Sequence, residues 1–122
     1  ILDDKAPRLF EGSNLIERYF IYIEDVIQAN IKACTPQQSG VYNVGTGNPR
    51  SFQEIADILQ KELDTNLGTD YFSNPYDGYQ HHTQANISST RENLGFEPKI
   101  SLEEGIKTYI PEIKRLHGKD IL

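Results

Sequence analysis

Residues 41–63 place the tightest limit on what this chain can fold into. Val41, Tyr42, Asn43 and Val44 form a short run of strand-favouring residues, and Gly45, Thr46, Gly47, Asn48 and Pro49 follow as a tight turn. Ser51 and Glu54 then stand at the spacing of a capping box, which predicts a helix to about Leu63. Phe52, Ile55, Ala56, Leu59 and Leu63 recur at three- and four-residue steps and give that helix one apolar face. Strand, turn and amphipathic helix in this order predict an α/β fold with parallel strand pairing, because parallel neighbours need a crossover between them. With 122 residues, 37% of them hydrophobic, the chain suffices for one domain or part of one with a modest core.

The remaining segments fit the same class. Residues 1–8 are polar and interrupted by Pro7, and resemble the tail of an earlier helix running into a strand at 8–10. Gly12 and Ser13 form a turn, residues 18–23 read as an apolar strand behind Arg18, and residues 24–34 read as a helix. Ile23, Val26, Ile27, Ile31 and Cys34 would form the buried face of that helix, Asp25 would cap its start, and Thr35-Pro36 would stop it. A strand is expected at 69–72, followed by a polar, aromatic loop at 73–80. Residues 88–94 form a short helix ended by Gly95. Ser101 and Glu104 open a last helix that would bury Leu102, Ile106, Tyr109, Ile113 and Leu116, kink at Pro111 and end at Gly118.

Charge narrows the partners. A net charge of −6 argues against nucleic acid, which requires a basic face, while a small phosphorylated ligand needs only one or two local cations. No run approaches the roughly 20 apolar residues of a membrane span, and the first residues do not read as a signal peptide. The composition is compatible with the cytoplasm. The single cysteine, Cys34, permits no internal disulfide and no zinc pattern, and reads as an inert small hydrophobe. The chain starts at Ile1 and contains no methionine, from which we expect a fragment of a longer protein.

Few residues offer chemistry. The Gly45-Thr46-Gly47 turn lies between strand and helix, but Arg50 stands where a dinucleotide fingerprint places its third glycine, so it is not read as a coenzyme loop. His81 and His82 are adjacent and would point to opposite faces of an extended segment, with no acid or cysteine at ligand spacing. No catalytic acid, base or nucleophile stands out. What remains is a binding constellation. Arg18 can fork onto phosphate oxygens, Gly12 and Ser13 offer turn N–H groups, and Tyr79 can stack on a flat ring or donate its hydroxyl. The structural alternatives are a surface salt bridge for Arg18 and a half-buried loop anchor for Tyr79.

Four stretches carry a resemblance. They are Gly12 with Ser13 followed by Arg18, Phe20, Tyr22 and Asp25; Val-Tyr-Asn-Val-Gly-Thr-Gly at 41–47; Ser-Phe-Gln-Glu-Ile-Ala at 51–56; and Leu-Gly-Phe-Glu-Pro-Lys-Ile-Ser-Leu-Glu-Glu-Gly-Ile at 94–106. In this order they resemble the C-terminal half of extended short-chain dehydrogenase/reductases acting on nucleotide sugars. Leu-Phe-Glu-Gly-Ser at 9–13 and Gly-Tyr-Gln-His-His-Thr-Gln-Ala at 78–85 are similar to the ADP-L-glycero-D-manno-heptose 6-epimerases. Tyr19 and Asn86 depart from that family, which usually has aspartate at both positions.

The resemblance implies the C-terminal, substrate-binding part of a Rossmann-type α/β enzyme, with residues 1–122 as that part and an N-terminal NADP-binding portion absent. It implies an ADP-sugar substrate contacted by Phe10, Glu11, Gly12, Ser13, Arg18 and Tyr79. The family uses tightly held NADP to oxidise and re-reduce a sugar carbon during synthesis of the lipopolysaccharide inner core, and a homo-oligomer is expected of the full-length enzyme. None of the seven tyrosines is followed four positions later by lysine, so the catalytic pair of such enzymes is not in this chain. A UDP- or dTDP-sugar epimerase or dehydratase, or a non-catalytic nucleotide-sugar-binding module, are the alternatives.

Overall fold

The computed structural model describes residues 1–35, 38–83 and 85–118. The helix stop assigned to Pro36 and the Gln84 position of the loop motif lie outside the described residues. Four short strands and four α-helices occur among the described residues: β1 (Arg8–Phe10), β2 (Glu17–Arg18), α1 (Ile23–Ala33), β3 (Arg50–Ser51), α2 (Phe52–Glu62), β4 (Asp70–Phe72), α3 (Ser88–Leu94) and α4 (Leu102–Leu116). A 3-10 turn, Ser13–Leu15, joins β1 to β2. The fold is α/β. β1 and β4 pair in parallel, with Arg8 opposite Asp70, Leu9 opposite Tyr71 and Phe10 opposite Phe72. β2 and β3 pair antiparallel, with Glu17 opposite Ser51 and Arg18 opposite Arg50.

Local chemistry sets the helix ends where the sequence places them. Ser51 accepts from the Glu54 N–H at 3.1 Å while the Glu54 carboxylate accepts from the Ser51 N–H at 2.7 Å, and Ser101 and Glu104 repeat the exchange at the start of α4. Gly95 ends α3 at φ +63°, where an L side chain would be strained. α4 stays one continuous helix through Pro111.

Three expectations are corrected. Residues 41–44 form no strand, because none of the described residues lies alongside to accept and donate the ladder bonds. Val41 is 99% exposed, and Tyr42 instead packs onto the cluster of Ala29, Leu94 and Phe96. The strand expected at 18–23 is paired only at Glu17–Arg18, and α1 opens at Ile23, ahead of the expected start at Glu24.

The third correction concerns the buried faces. α1 turns Asp25 and Ala29 inward, 4% and 2% exposed, and leaves Ile23, Ile27, Ile31 and Cys34 exposed. Asp25 is not a cap. Its carboxylate accepts from the Lys99 N–H at 3.1 and 3.2 Å and from the Ile100 N–H at 3.0 Å, tying α1 to the segment ahead of α4. Those bonds fix the rotation of α1, and the isoleucine stripe lies off the face they select. In α4, Gly105 and Ile110 are buried while Tyr109 and Leu116 are exposed. A Cβ on Gly105 would stand 3.0 Å from the Tyr22 ring, which explains a glycine inside the helix. α2 packs on α4 and on the 3-10 turn, and buries Gln60 beside Ala56. Gln60 is satisfied by the Gly68 carbonyl at 2.8 Å and the Leu67 N–H at 2.6 Å.

Candidate functional site

The site grows from the end of β1. The Glu11 N–H donates to the Phe72 carbonyl at 2.9 Å, extending the parallel pair by one bond. Gly12 then turns the chain at φ +76°, and no atom lies within 4 Å of where a methyl group would stand, so conformation and not space selects glycine here. The carbonyls of Gly12 and Ser13 accept from the N–H groups of Leu15 and Ile16. The Ser13 hydroxyl, 2% exposed as a residue, donates to Gln53 Oε1 at 3.3 Å, and Tyr71 donates to the same oxygen at 2.5 Å. Glu11 and Gly12 are exposed.

From there, four rings and one guanidinium converge. Phe10 meets Phe72 edge-on at 5.0 Å between centroids and Tyr79 at 5.4 Å. The Arg18 Cζ lies 5.3 Å from the Tyr79 ring centroid and 5.9 Å from that of Phe52. Nη1 of Arg18 donates to the Glu17 carbonyl at 2.8 Å and Nη2 to the Gln80 carbonyl at 2.6 Å. Two of its five donors are so used. No carboxylate is paired with Arg18 among the described residues. The salt-bridge alternative therefore gives way to a cation held by carbonyls and rings, with donor capacity left over. Phe10, Ser13 and Tyr79 line a cavity of about 170 Å³ together with Phe52, Phe72 and Arg8. The structure thus brings Phe10, Ser13, Arg18 and Tyr79 together, while Glu11 and Gly12 shape the turn beneath them.

Sequence reasoning missed Arg8, Phe52 and Phe72. Arg8 sits over the Phe72 ring at 4.6 Å and pairs with Asp70 at 3.2 Å. Strand alternation puts Arg8 and Phe10 on one face of β1, which was a usable signal. Phe52 reaches Arg18 because β3, just ahead of it, pairs with β2 and its own N–H donates to the Ile16 carbonyl, a long-range pairing that nothing local announces.

Chemically, this is a wall of rings beside two guanidinium groups. It suits a flat, anionic ligand, with the rings taking a planar group and Arg18 an oxyanion, since Arg8 is already paired with Asp70. An apolar cavity of about 180 Å³ between residues 20–22 and α4 offers no such charge, and its Ser101 hydroxyl is spent on the helix cap. The Gly45-Thr46-Gly47 turn does not fit a dinucleotide coenzyme either. Arg50 and Ser51 of β3 stand between it and α2, whose first turn is closed by its own capping box. Among the described residues no three His, Cys, Asp or Glu side chains gather as metal ligands. His82 instead pairs with Glu17, and His81 lies edge-on to Tyr79.

No protein-family model matches the sequence. The ADP-L-glycero-D-manno-heptose-6-epimerase of Brachyspira hyodysenteriae is 35% identical over 115 residues, covering 91% of this chain and 36% of that protein. Among solved structures, the Helicobacter pylori ADP-L-glycero-D-manno-heptose-6-epimerase aligns with a TM-score of 0.79 at 46% identity, over 88% of this chain and 33% of that one. Thermotoga maritima UDP-glucose 4-epimerase, solved with UDP-glucose, aligns with a TM-score of 0.85 at 27% identity, over 95% of this chain and 37% of that one. The chain spans about a third of the length of the relatives it matches. In sequence and in its Rossmann-type, extended short-chain dehydrogenase/reductase fold, it is a relative of the nucleotide-sugar epimerases and corresponds to about a third of such an enzyme.

Proposed function

We propose that the chain is the C-terminal, substrate-binding part of an ADP-L-glycero-D-manno-heptose 6-epimerase. The observation that carries this reading is Arg18, unpaired by any described carboxylate and held against Tyr79 and Phe52 beside a ring-lined cavity. It lies in a chain 46% identical to the aligned part of the Helicobacter pylori enzyme. Arg18 grips the diphosphate through its remaining donors, and Phe10 and Tyr79 bound the nucleotide beside it. Glu11, Gly12 and Ser13 set the turn against which it rests.

The grip serves catalysis at a distance. Binding energy from the unreactive ADP holds the sugar carbon in a reactive pose, which raises the rate without any catalytic group in this chain. The nicotinamide coenzyme, in this reading NADP, is held by residues outside this chain and supplies hydride transfer when bound. The full-length enzyme is then a homo-oligomer acting in the cytoplasm on lipopolysaccharide inner-core precursors. The test is epimerisation of ADP-glycero-manno-heptose by the full-length protein, followed as inversion at C6. Turnover of a UDP-sugar in its place would favour the second reading, which the 0.85 TM-score of the UDP-glucose 4-epimerase supports. Binding without turnover would leave a non-catalytic module.

A further inference from the structure

The loop that carries Tyr79, residues 73–83, contains no helix or strand, yet one residue of β2 fastens it at several points. The Glu17 N–H donates to the His81 carbonyl at 2.7 Å, and Glu17 and His82 form a parallel bridge. The Glu17 carboxylate faces His82 Nδ1 at 3.1 Å. A carboxylate only accepts, so Nδ1 carries the hydrogen. The carbonyl of Glu17 meanwhile orients Arg18 Nη1, and Arg18 Nη2 reaches across to Gln80. Glu17 itself is fixed from the other side by its pairing with Ser51. These links between the Tyr79 loop and the Arg18 guanidinium therefore pass through Glu17 or its immediate neighbour.

We propose that the Glu17–His82 pair is a positioning device for the nucleotide site: it holds the Tyr79 loop on β2 and keeps the Glu17 carboxylate off Arg18. The proposal rests on the reading of Arg18 and Tyr79 as the nucleotide grip. Without His82, the Glu17 carboxylate loses its partner one residue from the guanidinium and competes with the ligand's phosphates for it. At the same time residues 79–83 lose a side-chain tie to β2 and keep that of Arg18. Both side chains are substantially exposed, 37% for Glu17 and 49% for His82, so substitution does not empty the core.

The experiment uses the full-length protein and reads ADP affinity by calorimetry, with KM and kcat on the ADP-sugar alongside. His82→Leu removes the donor, and His82→Asn keeps one near the Nδ1 position. We expect His82→Leu to weaken ADP binding and raise KM about five- to tenfold, the scale of one ordinary hydrogen bond, with kcat within about twofold. His82→Asn is expected to stay within about twofold of wild type. Glu17→Ala combined with His82→Leu should be no worse than His82→Leu alone, because the competing carboxylate is gone. Equal ADP affinity in His82→Leu and wild type overturns the proposal, as does equal loss in the Leu and Asn variants. Failure of wild type itself to bind ADP overturns the underlying site reading instead, so the two failures are separable.

Discussion

Arg18 shows how much one side chain can carry. Its guanidinium donates to the carbonyls of Glu17 and Gln80 and lies against two rings, so its direction is set before any ligand arrives. In the full-length enzyme Arg18→Ala is expected to raise KM by one to two orders of magnitude, about 1.5–3 kcal/mol for a charge-assisted contact. Steady-state kinetics checks this, and an unchanged KM removes Arg18 from the site. Asp25 carries structure in the same way. It is buried and accepts three N–H contacts from Lys99 and Ile100, so Asp25→Ala strands two donors. The expected loss is about 2–4 kcal/mol of stability, measured by denaturant unfolding. A loss under about 0.5 kcal/mol would mean that water replaces the carboxylate. That Phe10, Arg18 and Tyr79 come together was approachable from the sequence, Arg18 and Tyr79 by residue type and Phe10 through its motif. The role of Asp25 was not, because its partners lie 74 and 75 residues away.

Among the elements, helices were read better than strands, and the difference has a physical cause. Helix ends are written locally: the Ser51–Glu54 and Ser101–Glu104 boxes and Gly95 stand where the structure uses them. A strand is completed by its neighbour, and residues 41–44 have none among the described residues. Helix faces are intermediate, since periodicity finds a stripe but tertiary bonds choose the rotation, as α1 illustrates. The starts of α2 and α4 are also joined to each other. Arg50 pairs with Glu54 at 2.9 Å and with Glu103 at 2.5 Å, so its own pKa is raised. The Ser51 N–H, with Arg50 behind it, lowers the Glu54 pKa, and the Arg50 hydrogen bond lowers that of Glu103. Carboxylates whose folded pKa lies below the ordinary 4.5 stabilise the fold fully above that pH. That contribution is lost as pH falls through the lowered folded values. Both groups are well exposed, and solvent screening limits the effect to about 1 kcal/mol in all. Thermal melts of wild type and Arg50→Ala should differ at about pH 7 and converge as the pH falls below 4.5. A gap that is the same at both pH values would contradict this linkage.

At the scale of the whole molecule, the described residues build a ring-lined site and leave Ile23, Ile27, Ile31 and Val41 facing outward. The fold class was legible because strand, turn and helix follow one another in a fixed order. The burial of α1 was not legible, because a face can be judged only against what packs on it. No described helix is long and apolar enough to cross a membrane. The proposed whole is a longer enzyme in which this chain holds the nucleotide and other residues carry out the reaction. Its central claim is that the grip is on ADP, and titration calorimetry of the full-length protein with ADP and with UDP tests that most directly. We expect ADP to bind at least about tenfold more tightly than UDP, a difference of roughly 1.4 kcal/mol. UDP binding as tightly as ADP, or neither binding, would contradict it.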